Sequence, residues 1–383
     1  MEKLKQKMEV SYSDPIPSDL LVDIFSRLPA KSIFRFRCVS RLWRSILGLA
    51  YFPELFFTKS LARPRLLFAI LVGSDLFFFS ASQPQNPLDN STLVATRYNS
   101  RCFHNYSPSE TRTPLSELVF LHEWQRKKWM ICNPVTGESI TLPKVEASAG
   151  RIFFGFDPIN KQLKVLCASW SYNTHWVLTL GSSVKPLWRS IAGDPKFSIR
   201  QRAYKAGEIC ISGVLYYIEH QHYIEGSCML VCFDFSSEKL GYIKIDKEML
   251  DGTLINYKGN LGVLVKRHYE VVLWVLEEDA GNHKWCESLC LRSRISLSKR
   301  IGNQFSIVGM TGAGEIVFSS CALEAKEPFY IVYYNIERNT FARVNIHTPG
   351  FEELHHRTVF ITTSLDYVEN LKPLQSVFDS FIT

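Results

Sequence analysis

Histidine, cysteine and glutamate are the residue types through which this chain could do chemistry. His122 and Glu123 begin like the zinc-binding helix of a metalloprotease, but Arg126 stands where the second histidine ligand belongs. The sequence also lacks a Gly-x-x-x-x-Gly-Lys-Ser/Thr phosphate loop and a Gly-x-Ser-x-Gly nucleophile elbow. These motifs give no support for a metalloprotease, a nucleotide-binding enzyme or a serine hydrolase.

Two further groups of histidine and cysteine resemble a zinc site only in outline. In each group the cysteines are separated by three residues within a segment of strand character, whereas a zinc knuckle presents its cysteines on a turn. The groups are His220, His222, Cys228 and Cys232, and His283, Cys286 and Cys290. We therefore expect no metal, no cofactor and no catalytic residue, and we predict that the protein is not an enzyme.

The chain that would have to position such residues has 383 residues, of which 46% are hydrophobic. This is enough for roughly two or three domains. Residues 1–13 are charged and lack the apolar core of a secretory signal, and the ten cysteines lack the spacing of a disulfide framework. We expect a flexible N-terminus at 1–13, free thiols, and a cytoplasmic or nuclear location.

The longest apolar run extends from Leu66 to Phe79 and is interrupted by Gly73-Ser74-Asp75. Neither half reaches the roughly 20 residues that a membrane-spanning helix needs. The run therefore predicts a β-hairpin with its turn at those three residues, and no membrane partner. The net charge of +7 permits an acidic partner. Lysine and arginine are dispersed along the chain, however, so we do not expect nucleic acid to be that partner.

The N-terminal segment predicts three short helices. Pro17 and Pro29 bound the first helix, residues 30–37 form the second, and Ser40 is the N-cap of the third. A unit of about 35 residues rarely folds without support, so part of its apolar surface is expected to contact another protein. Five apolar residues of the first helix recur at helical spacing and form one stripe: Leu20, Leu21, Ile24, Phe25 and Leu28.

This segment resembles the F-box of plant F-box proteins. The similarity runs almost unbroken from residue 16 to residue 46, through the stretches IPSDLL, IFSRLPAKS and RFRCVS, with Asp23 where Glu is usual. The family uses this unit to dock on a Skp-type adaptor, and through it on the cullin of an SCF-type ubiquitin ligase. The resemblance assigns adaptor contacts to Pro17, Leu20, Leu21, Ile24, Phe25, Leu28 and Pro29, with Val39 and Trp43 as further contacts or as support for the three helices.

From roughly Arg63 the apolar period changes from 3.6 to 2, which predicts an all-β region. Asn and Asp side chains bond back to the turn backbone, so a strand that ends in one of them marks a hairpin tip. Such tips are predicted at Asn133, Asp157, Asp234 and Asn335. Gly213, Gly259 and Gly314 precede apolar strands and mark a second set of turns.

Hairpins repeated about every 40 to 50 residues favour a β-propeller, with a β-sandwich as the alternative. The segments WMICNPVTGESITLPKV, FFGFDPINKQLKVLCAS and LVCFDFSSEKLGYIKID resemble the F-box-associated region of plant F-box proteins. The predicted fold class is an α+β multidomain chain with a small three-helix F-box and an all-β domain. Its parts are an F-box at 14–50, a linker at 51–64, the F-box-associated β domain at 65–363 and a C-terminal tail at 364–383.

The two resemblances imply a substrate-recognition subunit of an SCF-type ubiquitin-protein ligase. The F-box would dock on the adaptor, and the β domain would bind a target protein whose identity the sequence does not specify. Two alternatives stay open. The chain could be an F-box interaction protein that does not direct ubiquitination, or its β domain could be a basic nucleic-acid-binding propeller.

Overall fold

The computed structural model contains four α-helices, one 3-10 helix (Lys247–Met249) and 27 strands among the residues that it describes. These residues are 16–98, 103–108, 117–123, 126, 128–145, 150–169, 174–180, 187–193, 207–220, 228–279, 282–292, 297, 301, 305–323, 329–349 and 359–374. The segment 1–13, predicted to be a flexible N-terminus, lies outside them.

The α-helices form an N-terminal head, defined here as residues 16–64. They are α1 (Ser18–Ser26), α2 (Ala30–Phe36), α3 (Arg41–Ile46) and α4 (Phe52–Leu61). The first three correspond to the predicted helices. The fourth lies in the segment 51–64 that the sequence predicted as a linker, so this connecting segment is helical. Helix α4 forms because Pro53 and Glu54 suit its first turn, while Phe52 and Phe56, one helical turn apart, are completely buried.

The strands occupy the rest of the chain. In chain order they are β1 (Arg65–Val72), β2 (Asp75–Ser82), β3 (Ser91–Val94), β4 (Thr96–Arg97), β5 (Phe103–His104), β6 (Ser107–Pro108), β7 (Val119–Glu123), β8 (Lys128–Cys132), β9 (Ser139–Thr141), β10 (Gly150–Asp157), β11 (Gln162–Ser169), β12 (Thr174–Leu180), β13 (Arg189–Ala192), β14 (Glu208–Ile211), β15 (Val214–His220), β16 (Cys228–Asp234), β17 (Lys239–Ile245), β18 (Thr253–Tyr257), β19 (Asn260–Lys266), β20 (Glu270–Asp279), β21 (Asn282–Arg292), β22 (Phe305–Met310), β23 (Glu315–Ser320), β24 (Ala322–Leu323), β25 (Tyr330–Asn335), β26 (Thr340–His347) and β27 (Val359–Tyr367).

These strands form six sheets, one for each blade of a six-bladed β-propeller. Blade 1 has the order β27-β1-β2-β4, with β5 also paired to β2 and β24 to β27. Blades 2 to 5 are the consecutive meanders β6–β9, β10–β13, β14–β17 and β18–β21. Blade 6 has the order β22-β23-β25-β26-β3. The prediction of a propeller is confirmed, and the alternative of a sandwich is wrong.

Two strand exchanges close the ring. The last strand, β27, pairs antiparallel with β1 and supplies the innermost strand of blade 1, with Ile361 opposite Ile70. Strand β3, from the N-terminal half, pairs in parallel with β26 on the outer edge of blade 6, with Thr92 opposite Asn345. Blades 1 and 6 are therefore each built from both ends of the chain, which removes an open edge at the point of closure.

The predicted turns are confirmed. Asn133, Asp157 and Asp234 each accept hydrogen bonds from the backbone N–H two residues further on, at 2.9, 3.0 and 2.8 Å, and Asn335 accepts one from Arg338 at 2.9 Å. Gly213, Gly259 and Gly314 all have positive φ angles. Gly73 also has positive φ and joins β1 to β2, so the long apolar run is the predicted hairpin.

Side chains alternate in direction along a strand, so one strand contributes residues to two different hydrophobic clusters. On β1, Leu66, Phe68 and Ile70 pack toward blade 6. The alternate residues Leu67 and Ala69 face the opposite way, toward the head and blade 2. The first strand thus lies in two cores at once, and one of them includes the helices.

Candidate protein-docking surface

Helix α1 carries most of the residues predicted to contact a partner. It begins at Ser18 directly after Pro17, carries Asp19 in its first turn, and ends before Pro29, as the local signals predicted. Ser40 caps helix α3, since its side-chain oxygen accepts a hydrogen bond from the backbone N–H of Trp43 at 3.0 Å. Pro17 and Pro29 themselves are exposed at the two ends of α1.

The apolar stripe of α1 divides into a buried half and an exposed half. Leu21 and Phe25 are 6% and 1% exposed, whereas Leu20 and Ile24 are 52% and 46% exposed. Leu28 is half-buried and packs beside the buried half. Neighbouring positions on a helix differ by about 100° in direction, so i and i+1 members of a wide stripe need not face the same partner. The structure assigns Leu21 and Phe25 to the core and leaves Leu20 and Ile24 uncovered.

Three aromatic rings hold helices α1, α2 and α3 together. The Phe25 ring centroid lies 5.6 Å from that of Phe36 and 5.0 Å from that of Trp43, both in edge-to-face geometry. Phe36 and Trp43 are 4.9 Å apart. Such pairs add about 0.5–1.5 kcal/mol beyond area burial. Trp43 therefore supports the helices, and as a half-buried residue it still presents part of its ring to solvent.

Exposed large apolar side chains are concentrated in the head. Among the described residues there are fifteen of them, and nine lie between Ile16 and Leu61. Val39, at 60% exposed, is one of these nine, and the predicted contacts Leu20 and Ile24 are two more. Exposed apolar residues grouped in one part of a protein are typical of a candidate interaction surface. The nine are Ile16, Leu20, Ile24, Phe34, Val39, Leu42, Leu49, Tyr51 and Leu61.

The polar surroundings of this exposed face are mainly basic. Arg35, Arg41 and Arg44 are exposed on helices α2 and α3. Asp23 is paired with Arg27 at 2.9 Å, and this hydrogen bond, together with the charge of Lys59, lowers the pKa of the Asp23 carboxyl. The face thus combines exposed aliphatic residues with uncompensated arginine, which suits an acidic protein partner.

The opposite side of the head packs on the propeller. Ala30, Ile33, Phe52 and Phe56 are completely buried and share one hydrophobic cluster with residues of blades 1 and 2. The blade residues in this cluster are Leu67, Ala69, Leu76, Phe78, Tyr98, Phe103, Leu121, Met130, Cys132, Val135 and Tyr367. The expectation that another protein covers the apolar surface of the head is therefore wrong for its inner face and stays a prediction for its outer face. The inner face is covered by the chain itself.

Arg63 forms a polar link within the head, between the segment after helix α4 and the end of helix α1. Its guanidinium donates to the backbone carbonyls of Ser26, at 2.9 Å, and of Arg27. These carbonyls end helix α1 and lack intrahelical donors, so a side chain from the following segment satisfies them. Helix α4 and the contact of Arg63 with helix α1 were not predicted from the sequence. The four-residue spacing of Phe52 and Phe56 is typical of a helix and could have indicated α4.

The cysteine and histidine groups do not assemble into a site in the described part of the chain. No cluster of three or more His, Cys, Asp and Glu side chains there is placed to hold a metal ion. Cys228 and Cys232 lie on strand β16, and His222 lies outside the described residues. Within the same residues, no helix is long and apolar enough to span a membrane.

Comparison with known protein families covers both parts of the chain. Residues 15–53 match the F-box domain, and residues 65–368 match the F-box associated beta propeller domain. This chain belongs to the F-box protein family. F-box protein DOR of Arabidopsis thaliana is 42% identical to it over 94% of this chain and 94% of that protein. F-box protein At1g53790 of the same plant is also 42% identical, over 93% of this chain and 81% of that protein.

In this F-box protein the associated propeller follows the F-box, and helix α4 connects the two. An F-box joined to such a propeller is the domain combination of a substrate-recognition protein.

Proposed function

We propose that this F-box protein is the substrate-recognition subunit of an SCF-type ubiquitin-protein ligase. The outer face of the head docks on a Skp-type adaptor, which connects it to the cullin, and the propeller holds a target protein. The chain is not an enzyme in this proposal. It acts by raising the effective concentration of a target lysine near the ubiquitin-conjugating enzyme, which commonly reaches the millimolar range for tethered partners.

The division of the α1 stripe carries the proposal. Leu20 and Ile24 are exposed although they are large and apolar, and Val39 and Leu42 of the head are exposed as well. Aliphatic residues at the centre of a protein interface gain free energy only when a partner covers them. Of the predicted adaptor contacts, Leu20, Ile24 and Val39 therefore form the centre of the proposed interface, whereas Leu21 and Phe25 support it from below.

The proposal includes a cytoplasmic or nuclear location. All cysteines among the described residues are free thiols, as suits a reducing compartment. Burial raises the pKa of the Cys167 thiol to about 12, so this residue is a structural core residue rather than a reactive one.

Charge substitutions on the exposed half of the stripe test the docking step. Leu20→Asp and Ile24→Asp each place a carboxylate in an apolar contact, and we expect adaptor affinity to fall by about 3 kcal/mol or more, roughly a hundredfold. Ile159→Asp is the matched control, because Ile159 is 78% exposed on a propeller turn. The full chain should be co-expressed with a Skp-type adaptor and analysed by size-exclusion chromatography and titration. Retention of wild-type affinity by both head variants would refute the proposed surface.

A second readout separates the proposal from its alternatives. Reconstituted ubiquitination of a captured target should depend on Leu20 and Ile24, whereas an interaction protein that does not direct ubiquitination would bind the adaptor without that activity. A nucleic-acid-binding propeller would instead be retained on heparin and released steeply by salt, whether or not the head is substituted.

A further inference from the structure

The segment that follows the ring-closing strand is a buried strap. Strand β27 ends at Tyr367, and residues 368–374 follow it and are called here the C-terminal strap. Val368, Glu369, Asn370 and Leu374 are 4%, 4%, 1% and 2% exposed. These residues belong to the segment 364–383 that the sequence predicted as a C-terminal tail. A tail so deeply buried is part of the fold.

Glu369 joins the strap to the head and to blade 1. Its carboxylate accepts a hydrogen bond from the backbone N–H of Ala30 at 2.9 Å and another from the Tyr98 hydroxyl at 2.7 Å. Arg65 lies 3.6 Å from the same carboxylate. Ala30 is the first residue of helix α2, whose N–H has no acceptor within the helix. Glu369 thus accepts a hydrogen bond from a helix-terminal amide of the head that Pro29, the N-cap residue, does not cap.

The remaining strap residues bind blade 2 and helix α4. The Asn370 carbonyl accepts a hydrogen bond from the Asn133 side chain at 2.9 Å, and the Leu374 N–H donates to Glu138 at 2.6 Å. Lys372 forms an ion pair with Glu54 of α4 and lies 5.2 Å from the centre of the Phe57 ring. Leu371 enters the hydrophobic cluster shared by the head and blades 1 and 2. One short segment therefore touches the head and two blades.

We propose that the C-terminal strap holds the head in a single orientation on the propeller and that Glu369 is its positioning residue. Two domains in one chain move relative to each other unless their interface is large and apolar. Here the apolar interface is completed by Leu371 and locked by a buried carboxylate from the far end of the chain. The inference concerns the attachment of the head and holds whatever protein docks on its outer face.

Hydrogen exchange of the full chain, measured by mass spectrometry, tests this proposal. The informative peptides cover helices α1 and α2, and peptides from β15 and β16 report on the propeller. Glu369→Ala is the central variant, Glu369→Gln keeps an oxygen acceptor, and Glu337→Ala, at an exposed propeller residue, is the matched control. A chain that ends at Tyr367 removes the strap, and a chain that ends at Leu374 serves as its control.

In Glu369→Ala we expect α1 and α2 amides to exchange roughly tenfold faster or more, while β15 and β16 stay protected. Glu369→Gln should restore most of the protection, and the chain ending at Tyr367 should show the largest effect. Unchanged exchange of α1 and α2 in Glu369→Ala would overturn the proposal. So would equal acceleration in β15 and β16, because it would indicate general destabilisation. If the chain ending at Tyr367 does not fold, Glu369→Ala decides alone.

Discussion

Truncation of the buried half of the α1 stripe should lower the free energy of unfolding, whereas truncation of the exposed half should mainly weaken adaptor binding. Phe25 is 1% exposed and contacts two aromatic rings, so Phe25→Ala removes a fully buried ring and leaves a cavity. Removal of a buried phenylalanine costs about 3–5 kcal/mol, and the loss of both aromatic contacts favours the middle of that range or higher. We therefore expect Phe25→Ala to lower the free energy of unfolding by about 4 kcal/mol.

Leu20→Ala is the matched substitution on the same helix. Leu20 is 52% exposed, so its truncation should change the free energy of unfolding by no more than about 0.5 kcal/mol. It should nevertheless weaken adaptor binding about tenfold, because the lost methyl groups belong to the proposed interface.

Both variants can be measured in the full chain. Urea unfolding followed by tryptophan fluorescence reports stability, since Trp43 lies against Phe25. Titration with a Skp-type adaptor, under conditions where each variant is folded, reports binding. Similar losses of stability for Phe25→Ala and Leu20→Ala would refute the division into a buried and an exposed half. A Phe25→Ala protein with wild-type stability would refute the role of the aromatic cluster.

Three further substitutions test the propeller. Lys164 is buried and pairs with Asp157 at 2.8 Å, so Lys164→Met should cost about 3 kcal/mol in urea unfolding, whereas Lys161→Met on the exposed turn should change little. Burial lowers the pKa of His175 from 6.5 to about 4, so only the unfolded chain gains a proton between these values. Stability should therefore fall with decreasing pH across that window, by about 1.4 kcal/mol per unit, and His175→Leu should reduce this slope. Gly213 has a φ of +85°, and an added Cβ would lie 2.6 Å from Pro158 Cδ, so Gly213→Ala should lower the thermal midpoint, whereas Gly312→Ala, in open space, should not.

Local patterns predicted most of the fold correctly. Ser40 caps its helix and Asn133 bonds to its turn because both contacts lie within three residues along the chain, where side-chain chemistry alone determines the geometry. The propeller was predictable for a related reason, since each hairpin is a local unit and the repetition of such units restricts the architecture. The number of blades was not predictable, because β3 and β27 pair with strands far away in the sequence.

The sequence by itself determined which residues of α1 are apolar, and its resemblance to the F-box indicated what kind of partner they meet. Only the tertiary structure decided which of them remain available. Phe25 packs against Phe36 of α2 and Trp43 of α3, Leu21 is buried in the same hydrophobic cluster, and the inner face of the head is buried by blades 1 and 2. Glu369 reaches Ala30 across 339 residues, a separation at which no periodicity or spacing carries information. A contact between residues so far apart in the sequence depends on how the whole ring of blades closes. The contact therefore forms only in the assembled fold.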